Sequence, residues 1–589
     1  MSHPRNRRDF LVSTASSAAI VAIGGTLAAC GSDASPAEFN YGVASGDPLN
    51  DRVILWTHAR VKDRADDVAL TWQVATDRTF TQIVRSGGVS ATQETSFTAK
   101  VDVTGLSPGV SYFYRFIDET GASSMIGTTR TLPAASATVV KFAVFSCALY
   151  SAGYFNAYDA AATSDAQYAI HLGDYLYEYG SDPAKFGNTD PLTGTTAVSL
   201  GRVVSPASDI VSLTDYRTRH ALYKSDPALQ ALHARMPWIT VWDDHEFAND
   251  AFVGGAENHD PATQGDWATR KSLAARAYHE WMPIRTDASG DRLKIYRSFD
   301  FGKLLTLHML DTRIEGRDQQ YANFGDADGG VARYVTGLTS GSDAARKMIS
   351  VTQQSWLAQG MAASKATWQF FGNQDIMARM WFPASVLQAY ATAASNPTAV
   401  SAAITEYLTA KATRAAAPGA LTPQQTALLA APKIPYNLDA WDGYPSNREA
   451  LLQTVKAQGK KLVVLSGDSH NAWFANLTTL AGEKVGVEFA TSSVTAPGFE
   501  SVGLGAVASS LDGSALVPQL GNAAIGAGLG LVDDLGYTDT TRRGYLLVTV
   551  TEQAVKGEFV FMSTVKSRTY SAAVGKTITV PASGPVVYA

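Results

Sequence analysis

Tyr168-Ala-Ile-His-Leu172, followed without a break by Gly173-Asp174-Tyr175-Leu176-Tyr177, is a run of strand-forming residues that ends on a turn bearing a carboxylate and a phenol. The pattern recurs far along the chain. Trp238-Ile-Thr-Val-Trp242 leads into Asp243-Asp244-His245-Glu246, and Lys461-Leu-Val-Val-Leu-Ser466 leads into Gly467-Asp468-Ser469-His470. Short runs rich in β-branched and aromatic residues favour buried strands. A fourth run, Lys141-Phe-Ala-Val-Phe-Ser146, delivers Cys147 in the same way. Open α/β sheets bind ligands in the crevice at the carboxyl ends of their strands, so the four segments predict one shared cleft and a two-metal site.

A chain of 589 residues exceeds one ordinary core, and two or more folding units are expected. From about Phe39 to Pro133, short alternating strands at 53–56, 69–74, 97–103 and 111–116 predict a β-sandwich. Within it, Leu106-Ser-Pro-Gly-Val-Ser-Tyr-Phe-Tyr114 resembles the turn and strand of fibronectin type III-like modules, whose aromatic residues pack inward. After a small-residue linker at 131–137, strands alternate with helical stretches such as 227–235 and 268–281, which argues for a layered α/β domain. Further strands are expected at 304–310, ending in Asp311-Thr312-Arg313, and at 367–371, ending in Gly372-Asn373-Gln374. Residues 386–431 read as helices without a catalytic cluster, and the Gly- and Ala-rich stretch 502–530 reads as a loop or lid. Strands at 545–550 and 556–561 complete the sheet. The expected organisation is a signal over 1–30, a sandwich domain over 39–133, a main domain over 141–562 and a strand-like tail over 563–589.

Asn6-Arg7-Arg8-Asp9-Phe10-Leu11, followed by an uncharged, weakly apolar stretch over 12–29, resembles a twin-arginine export signal. Leu27-Ala-Ala-Cys30 has two readings: a lipoprotein processing box that anchors the chain through Cys30, or ordinary cleavage nearby. The expectation is an exported, periplasmic or cell-envelope protein that passes through the twin-arginine translocation machinery and has no obligate protein partner. In an oxidising compartment cysteines normally pair, and with Cys30 lipidated or removed Cys147 stands alone. Its strand-end position favours a metal ligand over an inert buried thiol. The formal net charge of −6 provides no basic field to gather nucleic acid.

Asp174 and Tyr177 lie three apart beyond a strand, which lets a carboxylate and a phenol face one point on a short turn. A phenolate is a good donor to trivalent iron and a poor one to zinc or magnesium. A Cys147 thiolate adds a second charge-donating ligand, metal binding deprotonates both groups, and His470 supplies a neutral nitrogen. A neighbouring position served by Asp468, Asp244 and the other oxygen of Asp174, with Asn249 as a further oxygen donor, suits calcium or another hard divalent cation. Taken singly, Gly-Asp pairs make turns and a lone histidine is structural; four strand-end coincidences together argue for a metal site.

The ensemble resembles the PhoD-type alkaline phosphatases of the metallophosphoesterase superfamily over nearly the whole chain. Besides the segments above, the matching motifs are Phe145-Ser-Cys147, Thr214-Asp-Tyr-Arg-Thr-Arg-His220, Leu310-Asp-Thr-Arg313 and Arg543-Gly-Tyr545. The resemblance implies an α/β fold, with a layered metallophosphoesterase-like β-sandwich core flanked by helices and preceded by a small all-β fibronectin III/Ig-like domain. It implies ferric iron on Cys147, Asp174, Tyr177 and His470, and calcium on Asp174, Asp244 and Asp468, with Asp174 bridging and Asn249 as a further calcium ligand. His245 would stabilise the departing or equatorial oxygen. Arg313 would contact phosphate or, equally, form a structural ion pair; Tyr216, Arg217 and Arg219 are weaker candidates. The superfamily's remaining His ligand has no clear counterpart, although Asn373 and Gln374 occupy a strand end. The implied activity is exported alkaline phosphatase action on phosphate monoesters and diesters, by metal-activated water or oxide attack, for phosphate scavenging. The alternative is a phospholipase D-like phosphodiesterase acting on lipid head groups, because the N-terminal module also resembles one named for that activity. Candidate substrates are therefore small phosphate esters, phospholipid or extracellular nucleic acid.

Overall fold

Three parallel strands carry the first half of the cleft. Val139–Phe145, Tyr168–His171 and Trp238–Thr240 are in register, with Phe145 opposite His171 and His171 opposite Thr240, so their carboxyl ends stop on one line. They are almost wholly buried, as strands covered on both faces must be. In the computed structural model, which describes residues 35–190, 193–321, 346–391, 397–431, 433–499 and 530–589, they lie in the middle of a ten-stranded sheet.

A second sheet has seven strands. Its parallel members Leu305–Met309, Trp368–Gly372, Lys461–Ser466 and Lys484–Ala490 also end together, with Met309 opposite Gly372, Gly372 opposite Leu465 and Leu465 opposite Phe489. The sheets face each other: Phe142, Val144 and Ile170 share one core with Leu305, Leu307 and Val463. The outer face of the second sheet, including Phe371 and Val464, packs with helices Val351–Ala363 and Pro445–Ala457 in a separate core. Helices Leu213–Lys224 and Pro227–Arg235 start where Ser212 and Asp226 cap them, the first through a capping box with Asp215 and the second with proline at its first turn.

The strands expected in the N-terminal sandwich are present, but one of its sheets continues into the main domain. Val43–Gly46, Arg52–His58 and Thr98–Thr104 extend the ten-stranded sheet where Gly46 pairs with Trp238. A four-stranded sheet, which includes Val68–Ala75 and Ser111–Asp118, packs against them. Tyr112, Tyr114 and Phe116 are buried, as the fibronectin-like pattern requires, and the Tyr112 hydroxyl accepts a bond from Ser107 N at 2.9 Å. At the opposite edge the tail adds Ala572–Pro581 and Val587–Tyr588 to the same large sheet. The 386–431 stretch forms helices Ala384–Ala391, Pro397–Ala416 and Pro423–Ala430. The signal, the Cys30 motif and nearly all of the 502–530 loop fall outside the described residues. Among the described residues no helix is long and apolar enough to cross a membrane.

Gly173 closes the approach between two of the strand ends. Its φ is +112°, and a Cβ there would lie 2.3 Å from Asp243 Cβ and 2.7 Å from Asp243 N. Gly173→Ala is therefore expected to destabilise the fold by about 3 kcal/mol or more, through overpacking and backbone strain together. A urea midpoint equal to wild type would contradict this account of the junction.

Candidate metal centre

The strands reaching the cleft are followed by residues in the left-handed region: Cys147 at φ +59°, Asp174 at +55°, Asp468 at +56° and His470 at +63°. Such conformations cost on the order of 1–3 kcal/mol each in non-glycine residues and persist only where the surroundings hold them. Here they are held. Cys147 N donates to Gly173 O at 3.2 Å and Ala148 N to Asp174 O at 2.9 Å. The Glu246 carboxylate accepts from Asp243 N, Asp174 N and Tyr175 N at 2.7, 3.0 and 2.6 Å, pinning two strand ends together. Gln374 Nε2 donates to Trp242 O at 2.8 Å and Leu310 O at 2.9 Å, which ties one sheet to the other at the same edge.

Donor atoms of Cys147, Asp174 and His470 lie within 4.8 Å of one another. The Tyr177 hydroxyl is 3.1 Å from Asp174 Oδ2 and 3.2 Å from His470 Nε2. His470 Nδ1 sits 2.7 Å from the Pro497 carbonyl and donates to it, which leaves the Nε2 lone pair directed at this group. Asp174 also forms a 4.8 Å group with Asp244 and His245, and Asp244 forms another with Asp243 and Asp468. Among the described residues, Asp174 Oδ1 and Asp244 Oδ1 are buried without a hydrogen-bond partner, which native interiors tolerate chiefly where an ion or water completes the site. The donors therefore suit two cations of different hardness: sulfur, phenol and imidazole converge on one side, and carboxylates, with His245 beside them, on the other.

Burial pushes Asp174 well above the ordinary carboxylate range; Asp244 and Asp243 add to the effect against the pull of His245. Burial also raises the Cys147 thiol and the Tyr177 phenol, with Asp174 adding in each case. A cation reverses these preferences, because it stabilises the deprotonated ligands. Burial disfavours a charged His245, but Asp244, Asp174 and Glu178 outweigh it and hold the imidazolium well above its usual range. His245 Nδ1 is 2.7 Å from Glu178 Oε2, and its ring lies against Tyr177 with centroids 4.1 Å apart.

Arg313 stands behind the cleft rather than in its lining. It is fully buried, and its guanidinium reaches Asp243 at 2.5 Å, Asp439 at 2.7 Å, and Asp375 and Asp468 at 3.0 Å each. Of its two readings, the structural ion pair is the one this geometry accommodates. Tyr216, Arg217 and Arg219 are likewise structural: Tyr216 donates to Phe247 O, Arg217 pairs with Glu280, and Arg219 binds the carbonyls of Tyr179, Ser205 and Pro206. Asn249 lies in the cleft wall, where its amide oxygen accepts from the Tyr179 hydroxyl at 3.0 Å and its amide nitrogen donates to Glu257. Asn373 and Gln374 are buried and bind backbone and the Trp441 indole instead of facing the cleft.

Sequence reading misses several members of this site. Glu178 and Glu246 work through hydrogen bonds to His245 and to the strand-end amides. Asp375 and Asp439 form a further 4.8 Å group with Asp468. Asp375 follows directly on Gly372-Asn373-Gln374 and is within reach of the strand-end rule. Asp439 carries no local signal, since its position is defined by Arg313 and Arg317.

A cavity of about 380 Å³ opens onto these groups. Residues 142–559 match the family model described as PhoD-like phosphatase, and residues 25–133 match that of the PhoD-like phosphatase N-terminal domain. The chain is 31% identical over 478 residues to alkaline phosphatase D of Bacillus subtilis (strain 168), across 78% of this chain and 70% of that one. A solved structure described as "Structure of PhoD" superposes with a TM-score of 0.71 at 27% identity, covering 95% of this chain and 93% of its own. Fold and site thus define an enzyme that hydrolyses phosphoric ester bonds. More narrowly, the chain belongs to the PhoD-like phosphatase family.

Proposed function

We propose an exported alkaline phosphatase that cleaves phosphate monoesters and diesters and scavenges phosphate outside the cytoplasm. Ferric iron would be held by Cys147, Asp174, Tyr177 and His470, and calcium by Asp174, Asp244 and Asp468. The observation that carries this reading is the convergence of unlike donors from separate strand ends, with Asp174 common to both halves. Asn249 would be a further calcium ligand; it lines the same cleft, and its amide oxygen accepts from the Tyr179 hydroxyl. The twin-arginine segment supports export to the periplasm or cell envelope, and Cys30 supplies an anchor if it is lipidated.

When bound, the cations neutralise phosphoryl oxygens and lower the pKa of an attacking water. The chain's own residues position the rest. Pro497 fixes the His470 tautomer, and Arg313 holds Asp243 and Asp468 in place from behind. Glu178 orients His245 through Nδ1, which directs the other ring nitrogen to the departing or equatorial oxygen beside Asp174 and Asp244. Glu178→Gln is expected to lower kcat by about 10²-fold with little change in KM, because His245 loses its orienting acceptor. It should also cost about 1–3 kcal/mol, since an amide cannot accept from Asn249 N, Asn258 and His245 as a carboxylate does. An unchanged kcat would remove His245 from the chemistry.

Protein purified after export by its own route is expected to contain iron and calcium, and to hydrolyse both 4-nitrophenyl phosphate and bis(4-nitrophenyl) phosphate. Zinc or manganese in their place would overturn the metal assignment. Phosphatidylcholine cleaved faster than 4-nitrophenyl phosphate would replace this reading with the lipid head-group alternative.

A further inference from the structure

Beside the metal cleft lies a second cavity of about 410 Å³. Phe186 and Pro497 line both spaces. Phe186 stacks on His470 with ring centroids 6.0 Å apart, and Pro497 accepts the His470 Nδ1 hydrogen at 2.7 Å. The partition between the two cavities is therefore the same pair of residues that supports His470.

Basic side chains predominate in the second cavity. Lys185, Arg542, Arg543 and Lys566 line it, against Asp190 as the one carboxylate among its described lining residues. Lys566 is 3.1 Å from Asp190. Lys185 and Arg542 pair with Asp209 at 3.2 Å and Asp539 at 2.6 Å, carboxylates that stand outside the lining. Their side chains remain 39% and 46% exposed, so both can turn to a ligand. A concave surface with an excess of one sign of charge focuses potential and gathers the opposite charge. Lysine and arginine together are the residues that recognise phosphate.

We propose that this cavity is a subsite for a second phosphoryl group carried by the substrate, so that the enzyme selects phosphate esters whose alcohol portion bears a further phosphate. The proposal rests on the phosphatase reading of the metal cleft and adds a specificity determinant to it. With one phosphoryl group in the metal cleft, the alcohol runs past Phe186 and Pro497, which line both spaces, and its distal phosphate meets Lys185 and Arg542.

The test compares α,ω-alkanediol bisphosphates with the monophosphates of the same diols, from propane to hexane, on the metal-loaded full chain. At one chain length or more the bisphosphate should be favoured about tenfold or more in kcat/KM. Lys185→Gln/Arg542→Gln should bring that preference to about one, with kcat/KM on 4-nitrophenyl phosphate left within about twofold of wild type. Propane-1,3-bisphosphonate, which cannot be hydrolysed, should compete better than propylphosphonate in the wild type and no better in the double variant. Equal kcat/KM for both substrate classes at every length, or a preference that survives the double substitution, overturns the subsite. Inorganic phosphate that alters turnover only while Lys185 and Arg542 are present, with no bisphosphate preference, assigns the cavity to the free anion and also overturns it. A wild-type enzyme inert to every ester removes the phosphatase reading and the subsite with it, whereas hydrolysis of both classes without preference removes the subsite alone.

Discussion

Asp174→Asn is expected to abolish turnover, with kcat on 4-nitrophenyl phosphate falling by about 10³-fold or more, equivalent to roughly 4 kcal/mol of transition-state stabilisation. Asp174 is the common member of the group with Cys147 and His470 and of the group with Asp244 and His245, and its Oδ1 has no hydrogen-bond partner among the described residues. An amide keeps the shape of the side chain but removes its charge and the second oxygen on which a bridging role depends. The fold should survive. Asparagine tolerates the left-handed backbone at φ +55°, and the bond from Ala148 N goes to the main-chain carbonyl of this residue. Elemental analysis of the variant should show loss of iron, calcium or both, with far-ultraviolet circular dichroism unchanged. Wild-type turnover in this variant would end the bridging assignment.

Arg313→Met should instead damage the fold, at a cost of about 3–5 kcal/mol, because it leaves buried carboxylates without their counter-charge. The guanidinium serves Asp243, Asp375, Asp439 and Asp468 at once from a fully buried position. Arg313→Lys restores the charge but not the planar fork, and it should recover only part of the lost stability. Urea midpoints of the metal-loaded proteins distinguish this role from the other one offered by the sequence. If Arg313 contacted the substrate's phosphate, its variants would unfold at the wild-type midpoint and show the loss in KM.

The strand-end rule finds Cys147, Asp174, Asp244, Asp468 and His470 because each follows its strand within a few residues, where local propensity and spacing both apply. It takes Asp244 and not its neighbour Asp243 as a ligand, and the fold shows what each does: Asp243 turns back to Arg313, while Asp244 lines the cleft. It does not find Glu178, which lies one residue beyond Tyr177 yet acts on a histidine 67 positions away. Nor does it find Asp439, which follows only the three-residue strand Lys433–Pro435 of a separate two-stranded sheet. The N-terminal sandwich shows the same limit. Its strands are legible from alternation, but the pairing of Gly46 with Trp238 that merges them with the main sheet has no signature in either segment.

Sequence alone therefore determined the kinds of donor, the strands that carry them and the family, since these depend on residue chemistry and on neighbours a few positions apart. Tertiary structure decided which carboxylates face the cleft, which are held by Arg313, and that the cavity with Lys185 and Arg542 shares a wall with His470. Those outcomes depend on the register and facing of two sheets whose strands are hundreds of residues apart. A one-residue change of register sends a side chain to the opposite face, so no local pattern can specify them.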